Sequence, residues 1–393
     1  MKSDAIHVYD KLKQKSIIEL LKNIDWSKTS NSPYIVEFDP TTNCNLACPD
    51  CISGSLLNQD EFSSDRVISL TKEMIDSGVK GVILIGGGEP MAHPKIGEII
   101  EMLGQNDVAI GITTNGLYLK KHIDVLAKYV SWIRVSIDAA SPEMFQSIRP
   151  SKAGDSLFDL VISNMRAFAS VKKSNQILGY SFMVYSKGDF GFKGIKLLSE
   201  NAYKKLESAK NKYTTNVNEI FQAATLAKNI GCDYIEIKPM YDVNHFSVMQ
   251  ANTIADTVEE EIFKAKSLED NNFKIIEATK LHASLRGESN LEPKEYTSCK
   301  VAELRTLVTP SGVYVCPYYR GSEHKKIGDV MNTSFTDMWH GSKRSEVMKQ
   351  LNPSIDCQMH CIRHESNLYI ESLIASNFEI NPLEIIDDYD RFI

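Results

Sequence analysis

The chain has 393 residues, of which 42% are hydrophobic and 24% are charged, and its formal net charge is −7. This composition is typical of a soluble globular protein of one or two domains, and the acidic balance without a long basic block argues against a nucleic-acid partner. The sequence shows neither a secretory signal nor an apolar run of about 18 residues, so we expect no membrane partner and a cytoplasmic location.

The chain opens with a predicted helical segment, residues 1–32, whose apolar part lies at Ile17, Ile18, Leu20 and Leu21. Beyond it, short β-branched runs alternate with helical stretches. Six near-continuous apolar runs are predicted strands, and they lie at 34–39, 81–87, 108–114, 132–138, 178–185 and 233–239. Strands of this kind suit a parallel sheet that is buried on both faces. The pattern predicts an α/β fold, a partial (β/α)6 TIM-like barrel with its chemistry at the carboxyl ends of the strands, and a doubly wound open sheet is the alternative.

Two of the intervening helices have clear predicted boundaries. One is capped by Ser63 or Ser64 and ends at Gly78, and another ends at Gly231. The interval 186–215 is an insertion that begins rich in glycine and becomes rich in lysine. A connection of this length often acts as a lid or a binding element, and a solvated helical insertion is the alternative.

Three cysteines follow the first predicted strand. In the cytoplasm, cysteines are metal ligands or reactive thiols more often than disulfides. Cys44, Cys48 and Cys51 have the spacing Cys-x3-Cys-x2-Cys, and thiolates spaced in this way can converge on one soft metal centre. A structural zinc site needs four ligands, and no fourth cysteine or histidine follows nearby. A [4Fe–4S] cluster is different, because three thiolates can hold it and leave the fourth iron open for a small molecule.

This cysteine loop resembles the signature of the radical S-adenosylmethionine (SAM) enzymes, in which the same spacing follows the first barrel strand. The resemblance implies that the amino and carboxylate groups of SAM bind the open iron. It also implies that the reduced cluster cleaves SAM to a 5′-deoxyadenosyl radical, which abstracts a hydrogen atom from the substrate, and that the electron donor is of the flavodoxin or ferredoxin type. Many family members have an aromatic residue before the last cysteine, where this chain has Asp50.

The sequence "GGGEP" ends the second predicted strand, where family members carry a Gly-Gly-Glu-Pro that holds the SAM amino group. The resemblance therefore places Gly87, Gly88, Glu89 and Pro90 on SAM. Glycines allow close backbone approach, and a carboxylate pairs with an ammonium group, whereas a plain turn is the alternative. Further implied SAM contacts lie at the ends of the third and fourth strands, and they are Asn115, Ser136 and Asp138.

A second cysteine set lies downstream, around a predicted β-hairpin in "LRTLVTPSGVYVCP" and a following turn and helix. It consists of Cys299, Cys316, Cys357 and Cys361. The arrangement resembles the auxiliary-cluster extensions, the SPASM and shorter twitch domains, that follow many radical SAM barrels. The resemblance implies one auxiliary [4Fe–4S] cluster held by these four cysteines, and a structural zinc site is the alternative. The remaining Cys232 is predicted to be a buried core thiol.

These patterns predict four regions. They are an N-terminal helical segment at 1–32, a radical SAM barrel core at 33–245, a helical bridge at 246–298, and an auxiliary cluster domain with its C-terminal tail at 299–393. The last region is predicted to be a small β-hairpin plus a helix that together bind the auxiliary cluster.

The leading functional hypothesis is a radical SAM enzyme that abstracts a hydrogen atom from a small polar metabolite, such as a carbohydrate or amino-sugar derivative. A fully ligated auxiliary cluster has no open iron and can accept or relay an electron, which favours an oxidative outcome. One alternative is a peptide-modifying maturase that docks a precursor peptide on the insertion. A non-enzymatic alternative is a zinc or iron–sulfur scaffold. The sequence singles out no catalytic acid or base.

Overall fold

A ten-stranded sheet is the centre of the fold in this computed structural model, which describes residues 8–28, 32–185, 200–202, 204–205, 215–242, 247–248, 252–279, 281–286, 294–357 and 361–393. The strands in chain order are β1 (Ile35–Phe38), β2 (Gly81–Leu84), β3 (Ala109–Thr114), β4 (Trp132–Ser136), β5 (Ile177–Val184), β6 (Tyr234–Pro239), β7 (Tyr241–Asp242), β8 (Ser247–Val248), β9 (Lys274–Glu277), β10 (Arg305–Thr309), β11 (Gly312–Tyr314) and β12 (Lys326–Gly328). β7 and β8 form a separate pair.

The order of the large sheet is β12-β11-β10-β1-β2-β3-β4-β5-β6-β9. Every neighbouring pair from β10 through β9 is parallel, whereas β10, β11 and β12 pair with each other in antiparallel fashion. The predicted parallel α/β barrel architecture is therefore confirmed. Because all the barrel strands run the same way, their carboxyl ends meet along one edge of the sheet, which is where such folds place their sites.

The helices lie between the strands and after them. In chain order they are α1 (Lys15–Lys22), α2 (Ser64–Asp76), α3 (Ile96–Gln105), α4 (Ile123–Tyr129), α5 (Pro142–Ile148), α6 (Phe158–Val171), α7 (Ile220–Ile230), α8 (Asn252–Lys266), α9 (Leu281–Leu285), α10 (Val301–Leu304), α11 (Phe335–Trp339), α12 (Ser342–Gln350), α13 (Pro353–Asp356) and α14 (His364–Ala375). The predicted cap of α2 is confirmed at Ser63, whose side chain accepts a hydrogen bond from Arg66 N. Within the described ranges, no helix combines the length and the apolar character needed to cross a bilayer.

Two apolar clusters form the core. Because side chains alternate along a strand, Val36 and Phe38 face the surrounding helices, whereas Ile35 faces the inside of the barrel. The inner cluster is completed from both ends of the chain, by Leu12, Ile17 and Leu21 and by Phe392 and Ile393. These residues fill the barrel interior near the amino ends of the strands. The polar part of the interior therefore lies towards the carboxyl ends.

All six predicted strands are present, but the sheet is longer than the sequence indicated. The range 246–298, which was predicted to be a helical bridge, also contains β9, and β9 pairs with β6 in parallel. The predicted hairpin at β10 and β11 is confirmed, and β10 pairs directly with β1. Most of the predicted insertion at 186–215 lies outside the described residues. The proposed domain boundaries stay predictions.

A buried ion pair joins the C-terminal extension to the barrel. Asp39, the residue that follows β1, is fully buried, and both of its carboxylate oxygens accept hydrogen bonds from Arg320. The two distances are 2.7 Å from Nε and 3.1 Å from Nη2. Burial raises the pKa of Asp39, although Arg320 opposes that effect. Arg320 lies just after the short 3₁₀ helix Pro317–Tyr319 that follows Cys316, so the pair connects the two cysteine regions.

We expect Arg320→Gln to lower the free energy of unfolding by about 3–5 kcal/mol, because it leaves the buried Asp39 carboxylate without its cation. Chemical denaturation of the full chain measures this loss. The double variant Asp39→Asn/Arg320→Gln should recover part of it, because no charge is then buried alone. The matched control is Arg391→Gln, which removes the exposed 2.8 Å pair with Asp107 and should leave stability nearly unchanged. Equal effects of Arg320→Gln and Arg391→Gln would contradict this account.

Candidate cofactor and metal site

The cysteine loop after β1 is closed by its own polar residues. Thr42 Oγ1 donates to Asp60 O at 2.7 Å and accepts from Asp60 N at 2.9 Å. Asn43 Nδ2 donates to Glu61 Oε2 at 2.8 Å, and Asn58 Oδ1 accepts from Cys44 N at 3.2 Å. These bonds join the two ends of the loop, so the backbone that bears the three cysteines is held in a fixed shape.

A backbone contact fixes the outer side of the same loop. Ala47 N donates to Pro150 O at 2.8 Å, and Leu46 forms an isolated bridge with Ser151. Leu46 and Ala47 are almost fully buried. The loop therefore lies between the end of β1 and the segment that follows α5.

The "GGGEP" turn packs directly against the cysteine loop. Glu89 N donates to Asn43 O at 2.8 Å. A Cβ atom on Gly88 would lie 2.4 Å from Asn43 O and from the backbone carbon of Thr42, a distance no side chain tolerates. Glycine is required here for close approach of two backbones. The close packing of the two backbones therefore explains why a glycine stands at position 88 of the predicted motif.

Glu89 connects the ends of β2 and β3. Its Oε1 accepts hydrogen bonds from Met91 N at 3.1 Å and from Thr114 Oγ1 at 2.7 Å, and its Oε2 accepts from Asn115 N at 2.8 Å. The carboxylate is almost fully buried, and burial raises its pKa despite these three donors. A cation close to such a buried carboxylate would stabilise its charged form.

The other predicted contact residues gather at the same edge. Asn115 Nδ2 donates to Asn45 Oδ1 at 2.6 Å, so the end of β3 touches the cysteine loop. Ser136 is the last residue of β4, and its strand register places it beside Ser181 of β5. Asp138 adopts a φ of 60°, and its Oδ1 accepts from Met183 N at 2.7 Å. The predicted set thus lies along the carboxyl ends of β2, β3 and β4, with Pro90 following directly after Glu89.

Arg149 belongs to this site, although no sequence signal singled it out. Its Nε donates to Asp138 Oδ2 at 2.7 Å, and its Nη1 lies 4.0 Å from Cys48 Sγ. Burial alone would lower the pKa of this guanidinium, but Asp138 and the Cys48 thiol more than compensate, so the pKa is raised. Arg149 is therefore a permanent cation next to a predicted thiolate ligand.

The thiols of the first group are free and electrostatically coupled. Burial raises the pKa of Cys44 to about 12, and the neighbouring Glu89 and Cys51 add to the effect. Burial also raises the pKa of Cys48 and of Cys51. Thiols of this kind lose their protons when a metal takes the proton's place. Three soft donors on one loop beside an arginine fit an iron–sulfur cluster with one open iron.

The four downstream cysteines also lie within electrostatic reach of each other. Burial raises the pKa of Cys316, and Cys361, Cys299 and Cys357 raise it further. Tyr319 Oη lies 3.4 Å from Cys357 Sγ, and Arg363 N donates to Cys361 Sγ at 3.4 Å. Four thiols in one buried neighbourhood fit a closed cluster or a zinc site as donor sets.

Among the residues with described positions, no three Cys, His, Asp or Glu side chains form a group that could hold a single metal ion. The ligand roles of the seven cysteines stay predictions. Cys232 is buried in the outer core cluster, as predicted.

Asp50 has a place in the structure that the sequence did not reveal. The Asp50 carboxylate accepts a hydrogen bond from the hydroxyl of Tyr185, just after β5, and burial together with Asp50 raises the pKa of Tyr185. The residue before the last cysteine thus connects the cysteine loop to the fifth strand.

Three further residues of this region were not predicted from the sequence. Asp39 could have been noticed, because it is a charged residue at the end of a buried strand. No sequence pattern distinguishes Arg149 or Arg320 from other arginines.

Comparison with known proteins identifies relatives that match part of this sequence. Molybdenum cofactor biosynthesis protein 1 of Dictyostelium discoideum is 30% identical over 164 residues, which cover 39% of this chain and 26% of the relative. GTP 3',8-cyclase of Listeria welshimeri is 32% identical over 120 residues, which cover 29% of this chain and 36% of the relative. An AdoMet-dependent heme synthase of Methanosarcina barkeri is 29% identical over 124 residues, 30% of this chain and 35% of the relative. The matches thus span about a third or less of these relatives.

The solved structures with a similar fold align with a larger part of the chain. Streptococcus suis SuiB bound to precursor peptide SuiA aligns with a TM-score of 0.57 and 14% identity over 81% of this chain and 66% of SuiB. Native anSMEcpe with bound AdoMet and Cp18Cys peptide aligns with a TM-score of 0.53 and 15% identity over 81% of this chain and 82% of that chain. At these identities the likeness concerns the fold. Residues 38–189 match the family model described as Radical SAM superfamily. This matched range holds both the cysteine loop and the "GGGEP" turn, so the chain contains a domain of the radical SAM type at residues 38–189.

Proposed function

We propose that this chain reductively cleaves SAM at a [4Fe–4S] cluster held by Cys44, Cys48 and Cys51, and abstracts a hydrogen atom from a small polar substrate. The observation that carries the proposal is the backbone contact between the three-cysteine loop and the "GGGEP" turn, with Glu89 N on Asn43 O at 2.8 Å. The match of residues 38–189 to the radical SAM superfamily supports both SAM and the cluster. When bound, the cluster supplies the electron that splits SAM into methionine and the 5′-deoxyadenosyl radical.

The protein's own residues bind and orient SAM in this proposal. Glu89 takes the SAM amino group, because a nearby cation stabilises the charged form of a buried carboxylate. The backbone of Gly88 lies directly against the backbone of Thr42 and Asn43, whereas Gly87 lies beside the side chains of Asp39 and Thr42. Arg149 neutralises negative charge beside Cys48, and Asp138 holds its guanidinium in place at 2.7 Å. Asn115 connects the end of β3 to the loop through Asn45.

The proposed net oxidation of the substrate rests on the four downstream cysteines. After hydrogen abstraction, the substrate radical loses one electron and one proton, which makes the net reaction an oxidation. Cys299, Cys316, Cys357 and Cys361 would hold the electron acceptor, an auxiliary [4Fe–4S] cluster. Two features support this role: the four thiols lie close to each other in one buried region, and the Asp39–Arg320 pair holds that region against the end of β1.

A second candidate is a peptide substrate. Two solved structures with a similar fold are described with bound peptides, the SuiA precursor peptide and the Cp18Cys peptide. The two candidates share the same radical chemistry and differ only in what enters the barrel.

A substrate screen with the reconstituted enzyme separates the two candidates. We expect small polar metabolites to stimulate formation of 5′-deoxyadenosine, while candidate precursor peptides neither bind tightly nor change mass. A mass change in a peptide that requires both SAM and reductant would favour the second candidate instead.

Replacement of Cys44, Cys48 and Cys51 with Ala should abolish SAM cleavage, because no thiolate remains to hold the first cluster. Iron should fall from about eight to about four per chain after anaerobic reconstitution, since the downstream set is intact. Iron analysis and quantification of 5′-deoxyadenosine with dithionite measure both effects. Cys232→Ala is the matched control, because this buried thiol belongs to neither set, and it should retain the iron content. Zinc without iron in the wild-type protein would contradict the proposal.

Glu89→Gln should weaken SAM binding about tenfold or more, because the charge-assisted bond to the SAM amino group becomes a neutral one. Equilibrium binding of SAM to the reconstituted, unreduced protein measures the change. Glu98→Gln is the control, since Glu98 is exposed and pairs with Lys95 at 2.7 Å. SAM affinity that is the same in both variants would exclude Glu89 as the ligand of the amino group.

A further inference from the structure

A row of polar side chains lines the inside of the barrel next to the predicted SAM contacts. Tyr180 and Phe182 of β5 belong to the outer core, so Ser181 between them faces inward. The same alternation turns Arg134 of β4 inward, together with Glu236 and Lys238 of β6. The register places Ser181 beside Glu236, and the row therefore crosses β4, β5 and β6.

Two cations in this row share one carboxylate. Arg134 Nη1 donates to Glu236 Oε2 at 3.0 Å, whereas Lys238 Nζ lies 3.9 Å from the same oxygen. Burial and the nearby Arg134 lower the pKa of Lys238. Asp138, a carboxylate within electrostatic reach of Lys238, is already engaged by Arg149. The row therefore has an excess of positive charge.

Several donors of the row lack acceptors within the described ranges. The Nε of Arg134 and the Oγ of Ser181 are buried there without a hydrogen-bond partner, and Ser181 is fully buried. The side chains of Arg134 and Lys238 retain 28% and 29% of their exposure, so the barrel interior reaches them. A buried donor without an acceptor is costly, so this part of the interior is rich in donors. The partly exposed side chains of Arg134 and Lys238 are the groups that a ligand can reach, and an anionic oxygen suits both.

The proposed SAM contacts already include a cation of their own, because Arg149 pairs with Asp138 and lies beside Cys48. Arg134 and Lys238 are therefore not needed for the carboxylate of SAM, and an anionic group of the substrate is the ligand that fits them.

We propose that Arg134 and Lys238 bind an anionic oxo group of the substrate, a carboxylate or a phosphate. The inference rests on the proposed function for its identification of the barrel interior as the substrate site. It narrows the substrate class to anionic polar molecules, because a neutral substrate would leave Lys238 and Arg134 with a single shared counter-ion.

The test is calorimetric titration of the reconstituted full-length protein with inorganic phosphate and, separately, with succinate, in the absence of reductant. We expect saturable binding of one of the two anions, and the tighter one identifies the phosphate or the carboxylate class. Lys238→Met should weaken that binding about tenfold. This variant keeps the Arg134–Glu236 pair, so it should retain the fold. Arg134→Gln is the second variant, and its fold is checked by circular dichroism.

The control is Lys264→Met, because Lys264 lies on the outer helix α8 and pairs with Glu261 at 2.7 Å. It should bind the anion as the wild type does. The proposal is overturned if the wild type binds neither anion, if Lys238→Met binds as tightly as the wild type, or if SAM competes with the anion. Because titration needs no SAM cleavage, its failure is distinct from a failure to form 5′-deoxyadenosine, which would refute the proposed function instead.

Discussion

The site depends on one close approach between two backbones. The turn after β2 lies against the cysteine loop after β1, and Gly88 leaves no room for a side chain between them. The same turn orients Glu89, whose carboxylate is bound from both sides by groups at the end of β3. A shift of this turn would therefore move the cysteine loop, the carboxylate and the end of the third strand together. The parallel sheet makes this possible, because it brings three successive strand ends to one edge.

The C-terminal extension is part of the same framework. β10 pairs with β1 in parallel, and the buried Asp39–Arg320 pair lies at the carboxyl end of that junction. Asp39 Oδ2 also lies 3.3 Å from where a Cβ of Gly87 would be. The first strand thus contacts the extension on one side and the "GGGEP" turn on the other. This arrangement connects the two cysteine groups through one sheet.

Sequence patterns predicted the regular part of the structure well. The barrel strands are short apolar runs, and the hairpin has two β-branched strands around a proline–serine–glycine turn, so both have clear signals. β9 was missed because its four residues, "KIIE", have charged ends and follow a long polar helix. Its strand conformation comes from pairing with β6, a tertiary contact that local sequence does not encode.

The site was predictable only where residues are adjacent in sequence. Cysteine spacing and the glycine run were visible, whereas Arg149 and Arg320 act through partners 101 and 281 positions away. Asp50 was noticed as unusual, but its partner Tyr185 follows a different strand. The charged row in the barrel was hidden for the same reason, since Arg134, Ser181 and Lys238 meet only when three parallel strands align.

Mössbauer spectroscopy of the protein reconstituted with ⁵⁷Fe is the most direct test of the central claim, that three cysteines leave one iron open for SAM. Addition of SAM should change the signal of one iron among about eight, because SAM would bind only the iron that no cysteine holds. The spectrum of the auxiliary cluster should not change. A spectrum that is identical with and without SAM would contradict the account.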